Sequence, residues 1–382
     1  MKFSSSSNQS RLLINFGPLK AGGGQNVALN FLQELERTAM IGFQPYFIVS
    51  KNTMLHNRIK SSRWKDHVFV VSKNRYFRVF QEFFIAQLFI KKNNINYIYS
   101  YFGFGLFGFN IKQIIGSADS NLYFPEVDFW KNEKPHEKCI RWIVDKFRIF
   151  GLKKASGVIF ENKAMYERAT TLFDINTKAL ILPSIDTPDI CKELNIKFKT
   201  NTPKVLLLCG WQRNKNILLI PEIAACLREL GFNAEFIITA EADQSSCSNE
   251  FLKLVEKWNV KDLINCIGTV EKSQLPELYK RIDLVLLLSL LESFSNNIIE
   301  SWFYERPLVV SDELWSRSIC ADAAIYVQRE KADKIAKAII DILSTQSVNE
   351  SLISNGKKEL EKYPSINERL IQELNFIAEV IN

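Results

Sequence analysis

Histidine is scarce in this chain. There are three in 382 residues, His56, His67 and His136, and none stands at metal-ligand spacing from another. Seven cysteines are scattered and odd in number, with no Cys-x-x-Cys pair, so they read as reduced thiols in a cytosol. No Asp-x-Asp pair suggests a metal-held diphosphate. No apolar run approaches the ~20 residues of a membrane span. The opening MKFSSSSNQSR lacks the apolar core of a signal peptide, so a cytoplasmic location is expected. Without repeats or low-complexity tracts, no third domain is suggested.

The chain does have apolar substance: 47% apolar and 24% charged residues over a length that suits two α/β domains. Its charge is divided unevenly. Residues 1–190 carry 26 Lys and Arg against 15 Asp and Glu, whereas residues 191–382 carry 23 against 27. A basic first half suits an anionic acceptor or an acidic membrane face, and equally a surplus that only aids solubility. No nucleic-acid partner is expected.

The most informative stretch is Leu284 to Asp312, LVLLLSLLESFSNNIIESWFYERPLVVSD. A continuous apolar run, Leu284 to Leu288, reads as a buried parallel strand. Ser295 and Asn296 can start a helix, with Ile298, Ile299, Trp302 and Phe303 at helical spacing. Leu308 to Val310 is a second strand, making a βαβ crossover. Glu292 falls just past a strand's carboxyl end, where open α/β sheets bind ligands, and Glu300 falls inside the helix. N–H groups opening that helix form a seat for phosphate. Spacing alone is equally met by a capping Glu292 and a solvated Glu300.

Glu292-Ser-Phe-Ser-Asn-Asn-Ile-Ile-Glu300 resembles the E-x7-E signature of the group 1 retaining glycosyltransferases (family four). The resemblance implies the GT-B fold, an α/β architecture of two Rossmann-like, doubly wound domains facing across a cleft. It also implies that Glu292 touches the donor sugar's hydroxyls and that Glu300 bonds the nucleotide's ribose. The strand Lys204 to Cys209 and the loop Gly210-Trp-Gln-Arg-Asn-Lys215 resemble the family's diphosphate loop. Lys215 stands at its lysine, and Arg213 stands in for an arginine missing nearer the glycine. Ser295 and Asn296 would supply N–H groups to the donor.

Toward the start, Arg11 to Phe16 is a strand, followed by GPLKAGGGQ and a helix from Asn26 to Leu35. Strand, glycine loop and helix bring bare backbone N–H groups against phosphate or sugar. Gly22-Gly23-Gly24 resembles the family's first loop, which implies that Gly23 and Gly24 bind donor; Lys20 reads as a phosphate contact or a solvated loop lysine. Further strands are expected at 44–49, 67–71, 97–101 and 155–160, with a helix over 76–90. The aromatic run 97–109 suits core packing, an acceptor pocket or a lipid contact. Leu122 to Phe124 is expected to be a strand. Relatives often place a histidine at its end, and this chain offers only Glu126 and Asp128, which become the acceptor-side residues, with Glu126 as a catalytic candidate.

The resulting expectation has four parts: an acceptor-side domain over 1–186, a linker over 187–203, a donor domain over 204–365, and a helix over 366–382 that crosses back to the first domain. The implied function is a hexosyltransferase-type enzyme, independent of metal and cofactor. It would move sugar from a nucleotide-sugar donor to a glycan or lipid-linked oligosaccharide, in bacterial surface polysaccharide synthesis. The catalytic set is Glu292, Lys215 and Glu126. Contact with an anionic membrane, on the cytoplasmic face, is compatible with the basic half. The alternatives are a non-catalytic nucleotide-sugar-binding or scaffold subunit, a GT-B nucleotide-sugar epimerase, and a Rossmann dehydrogenase.

Overall fold

A computed structural model describes residues 10–38, 42–108, 110–131, 133–186, 188, 191–194, 196–241, 243 and 245–381. The chain divides into two units, one of residues 1–184 with 364–382, the other of residues 185–363.

The first unit holds a parallel sheet of β1 (Ser10–Asn15), β2 (Phe43–Ser50), β3 (Val68–Val71), β4 (Tyr97–Ser100), β5 (Lys112–Ser117), β6 (Gly157–Phe160) and β7 (Lys178–Leu180), ordered β3-β2-β1-β4-β5-β6-β7. Alternate residues of β1 enter opposite cores. Leu12 and Ile14 pack with Ala28, Leu32 and Leu35 of the helix Gly22–Arg37, and Leu13 packs with Ala86 and Ile90 on the other face. Burial on both faces is why these strands read as continuous apolar runs.

The closing helix, Ile366–Ile381, lays Leu370, Leu374, Ile377 and Ile381 into the first of those cores. Each such side chain stabilises the fold by roughly 1.5–3 kcal/mol relative to exposure. The helix comes so close to β6 that a Cβ on Gly157 would stand 2.9 Å from Val380 and 3.0 Å from Phe376.

The second unit holds β8 (Lys204–Leu207), β9 (Glu235–Ile238), β10 (Ile264–Cys266), β11 (Leu284–Leu287), β12 (Leu308–Ser311) and β13 (Ile325–Val327), all parallel and ordered β10-β9-β8-β11-β12-β13. One face carries Val205, Leu207, Phe236 and Leu286 against the helices Ile220–Glu229, Ser246–Lys257 and Ala332–Ser344. In each sheet the chain order reverses once, between β1 and β4 and between β8 and β11. Those two points open crevices at the carboxyl ends of the strands.

One expected element is absent. Leu122 to Phe124 is no strand; Ser120–Leu122 is a single 3-10 turn, while Tyr123 and Phe124 are buried outside the sheet. The strand at that place is β5, whose sequence KQIIGS hides four buried residues behind polar ends. Gly116 within it lies against the Phe102 backbone, 3.3 Å from where its Cβ would be.

Candidate active site

Lys215 follows β8 and Glu292 follows β11, so the two sit on either side of the second sheet's reversal point. The β8 loop makes a 3-10 turn over Arg213–Lys215, and Asn216 then takes a left-handed conformation at φ 57°. Its side-chain amide donates to the Arg329 carbonyl at 2.6 Å, which anchors the turn to the chain leaving β13. The Leu290 N–H donates to the Asn214 carbonyl at 2.8 Å and draws the β11 loop alongside. The Lys215 ammonium thereby meets the Glu292 carboxylate, although 77 positions separate them. About a seventh of each side chain remains open to solvent.

Just past Glu292 begins the helix Asn296–Phe303. Ser295 is its N-cap, is buried, and makes no side-chain capping bond. The first-turn N–H groups of a helix lack intrahelical acceptors, so the partial positive charge of this helix start remains available. Asn297 donates to the Leu208 carbonyl at 2.9 Å and pins the helix start to the end of β8. Lys215 and an open helix start thus lie at neighbouring strand ends, a combination suited to a diphosphate.

Glu300 lies one helical turn deeper. Its carboxylate accepts from the Tyr279 hydroxyl at 3.1 Å, and the Tyr279 ring stacks on Tyr304 with centroids 4.7 Å apart. Burial pushes the Glu300 carboxyl up to about 7, helped by Asp186 and opposed by the Tyr279 hydrogen bond and by Lys272, which itself pairs with Asp186. A carboxyl near neutrality can accept or donate a hydrogen bond, and either suits a ribose hydroxyl.

Arg213 is engaged elsewhere. It pairs with Glu250 of the helix Ser246–Lys257, and that carboxylate holds its guanidinium charged. Arg329, which sequence reasoning missed, reaches the same strand ends through β13. Its Nε donates to the Leu288 carbonyl at 3.4 Å, and its side chain is 14% exposed. Asn216, Asn297 and Tyr279 were equally unassigned to the site. Asn216, Tyr279 and Asn297 stand in or beside stretches that resemble family motifs, but the partners they take here follow only from the parallel stacking of strands, and no local motif marks Arg329.

In the first unit, Gly22 takes φ +73° and opens the helix Gly22–Arg37 after an Ala21 cap with no side-chain bond. Gly23 is exposed and Gly24 half-exposed, so that helix start is bare. Lys20 donates to the Lys73 carbonyl at 2.5 Å. Glu126 and Asp128 lie in the loop after the 3-10 turn, both exposed. The Glu126 carboxylate is gripped by both arms of Arg168, at 2.6 and 2.8 Å, and that bond holds its pKa below the usual range. A carboxylate so held is a poor proton acceptor. Among the described residues, no group of three His, Cys, Asp or Glu is placed to hold a metal ion. No described helix is long and apolar enough to cross a membrane.

Three solved structures match nearly the whole chain. Sucrose-phosphate synthase from Thermosynechococcus elongatus aligns with TM-score 0.74 and 16% identity, covering 97% of this chain and 99% of that one. A glycosyltransferase from Rickettsia africae gives 0.69 and 14%, covering 98% and 99%. Anabaena HepE, in a complex with UDP and glucose, gives 0.68 and 12%, covering 97% and 100%. With two parallel doubly wound sheets, the fold is that of the GT-B glycosyltransferases. Residues 193–359 match the family model described as Glycosyl transferases group 1, the stretch that holds Lys215, Glu292 and Glu300. The second unit is thus similar, over nearly all of its length, to the group 1 glycosyltransferases. A comparison with curated protein sequences finds no match.

Proposed function

We propose that the protein is a retaining glycosyltransferase that moves a sugar from a nucleotide-sugar donor to a glycan or lipid-linked oligosaccharide, in bacterial surface polysaccharide synthesis on the cytoplasmic face of the inner membrane. One observation carries the donor half of this reading: the Lys215–Glu292 pair at the reversal point, beside an uncapped helix start. The pair behaves as a charged seat awaiting exchange. A diphosphate takes the Lys215 ammonium together with the N–H groups of Asn296 and its neighbours. Sugar hydroxyls then donate to the released Glu292 carboxylate, and Glu300 receives the ribose. HepE's complex with UDP and glucose supports a donor of that chemistry.

In the transfer step the anomeric C–O bond to the phosphate breaks as a bond to the acceptor hydroxyl oxygen forms on the same face of the sugar. The acceptor's proton passes to the departing phosphate oxygen. Positive charge grows on the ring and negative charge on the diphosphate. Lys215, Ser295 and the helix start are fixed where the negative charge develops, so they stabilise it without reorganising. On this reading the diphosphate's charge is met by the protein and no divalent cation is required. Arg213 reaches the phosphates only by releasing Glu250. Acceptor recognition falls to the first unit. There Glu126 and Asp128 orient acceptor hydroxyls, Glu126 more as a fixed hydrogen-bond acceptor than as a base, while the bare helix start at Gly23 and Gly24 is read as a seat for an anionic group of the donor.

The test is thermal unfolding with a panel of nucleoside diphosphates and their sugars. A ligand at a hundred times its Kd adds about 2.7 kcal/mol to folded-state stability. One nucleotide family is expected to raise the melting temperature of the wild type by several degrees, and Lys215→Ala to abolish the rise. A wild type indifferent to every nucleotide would sink the donor assignment.

A further inference from the structure

Ten of the eighteen large hydrophobic side chains left exposed among the described residues lie on two helical segments of the first unit, 75–92 and Pro135–Lys154. On the first, Phe80, Phe84 and Leu88 recur every four residues and are 50%, 64% and 68% exposed. A wide π-helical turn, Gln81–Ile85, interrupts this segment and offsets the drift that four-residue steps have on an ordinary helix. The opposite face of the same segment sends Ala86 and Ile90 into the core, so the bare row is a second face, not a misplaced interior one. On the second segment Trp142, Phe147 and Phe150 are each more than half exposed. The Phe107 ring joins the two, with centroids 5.2 Å from Phe83 and 5.6 Å from Phe150. The two segments therefore form one apolar surface.

Cations border it. Lys73 and Arg75 stand exposed at one end of 75–92 and Lys91 and Lys92 at the other. The only carboxylate in that segment, Glu82, is buried. Lys146, Lys153 and Lys154 stand exposed along Pro135–Lys154, Lys146 over the Trp142 ring at 5.3 Å. A row of exposed aromatics on a soluble-sized unit marks a contact surface. The charge decides which kind. In a two-fold contact with a second copy, each patch meets itself, so these cationic borders would face one another. An anionic bilayer meets both needs, with headgroups for the lysines and arginines and interfacial depth for Trp and Phe.

We propose that this face docks the protein on an anionic lipid bilayer, the aromatic rows entering the interface and the bordering cations meeting the headgroups. The docking deepens the membrane-side acceptor reading and rests on it for its purpose, while needing no donor. The full-length protein is sedimented with vesicles rich in phosphatidylglycerol or made of phosphatidylcholine alone. Binding is expected to be at least tenfold tighter to the anionic vesicles and to weaken with salt. Phe84→Ser with Leu88→Ser, both outside the core, and Lys91→Glu with Lys92→Glu should each weaken it about tenfold or more. Equal binding to both vesicle types, or variants that bind like the wild type, would overturn the proposal. So would a lipid-free dimer that Phe84→Ser with Leu88→Ser dissolves. Thermal shifts with nucleotide on the same variants keep the two readings separate. An intact nucleotide response with no vesicle binding removes only the docking surface, and the reverse removes only the donor site.

Discussion

Each unit contains a cluster of opposite charges assembled across long stretches of chain, and the two clusters are built differently. In the first unit Arg369 of the closing helix bonds Glu161 at 2.7 Å and Glu373 at 2.8 Å. Tyr99 donates to the second Glu373 oxygen at 3.0 Å. These side chains are at most 10% exposed. In the second unit Lys215 and Glu292 have one another, and each keeps an edge in solvent next to the open start of a helix. An ammonium has three donors and a carboxylate about four lone-pair positions, so most of the bonding capacity of this second pair is unspent. The buried cluster directs its charges into the fold, joining the closing helix to β4 and β6. The half-open pair leaves them within reach of solvent.

Removing Arg369 tests that contrast with the largest effect. Arg369→Met leaves Glu161 and Glu373 buried with no cation, a loss of about 3–5 kcal/mol, read as a fall in the denaturation midpoint. Nucleotide response of the protein that still folds should persist. If Arg369→Met proved as stable as the wild type, the buried cluster could not be what holds the closing helix.

Glu300 sharpens the comparison through pH. Its ordinary pKa of 4.5 is raised to about 7 in the folded protein. The folded state thus disfavours the charged form. The penalty is absent below about pH 4, grows as pH rises through 4.5, and is complete above 7. Glu300→Gln keeps an acceptor for Tyr279 and should raise ligand-free stability by roughly 1–3 kcal/mol at pH 8, with no change at pH 4. The same variant should bind nucleotide more weakly. A stability difference that is the same at both pH values would contradict the assignment of burial as the cause.

The smallest effect is expected at the surface pair Arg168–Glu126, where Glu126 is half exposed. Arg168→Ala should cost less than about 1 kcal/mol at neutral pH. Because Arg168 lowers the Glu126 pKa, that contribution exists above the ordinary carboxylate range and disappears as pH falls through the folded value. The variant's pH–rate profile for glycosyl transfer should match the wild type's. A new acidic limb would instead make Glu126 a titrating participant.

Much of this molecule was legible in local pattern. The bounded apolar runs marked most strands of both sheets, because strands covered on two faces have no polar side to show. The helix Asn296–Phe303 was visible in Ile298, Ile299 and Trp302 at helical spacing after Ser295. What escaped was β5, whose central Ile114 and Ile115 are hidden between Lys112, Gln113 and Gly116, together with the short edge strand β7 and the helix Pro135–Lys154, and a false strand was read at Leu122–Phe124. Those three residues are apolar because they are buried, and burial does not require a strand.

The site divides in the same way. The chain's own residues determined which strand ends are candidates for binding, since a short strand followed by a polar or glycine-rich turn and a helix start is encoded within about a dozen positions. Tertiary structure alone decided the partnerships: Lys215 with Glu292, Glu300 with Tyr279, Asn216 with the Arg329 carbonyl, and Arg213 with Glu250 in place of a vacant seat. The reason is physical. Parallel strands bring residues together by their order in the sheet, not by their order in the chain, and that order follows from which apolar faces can be covered at the same time.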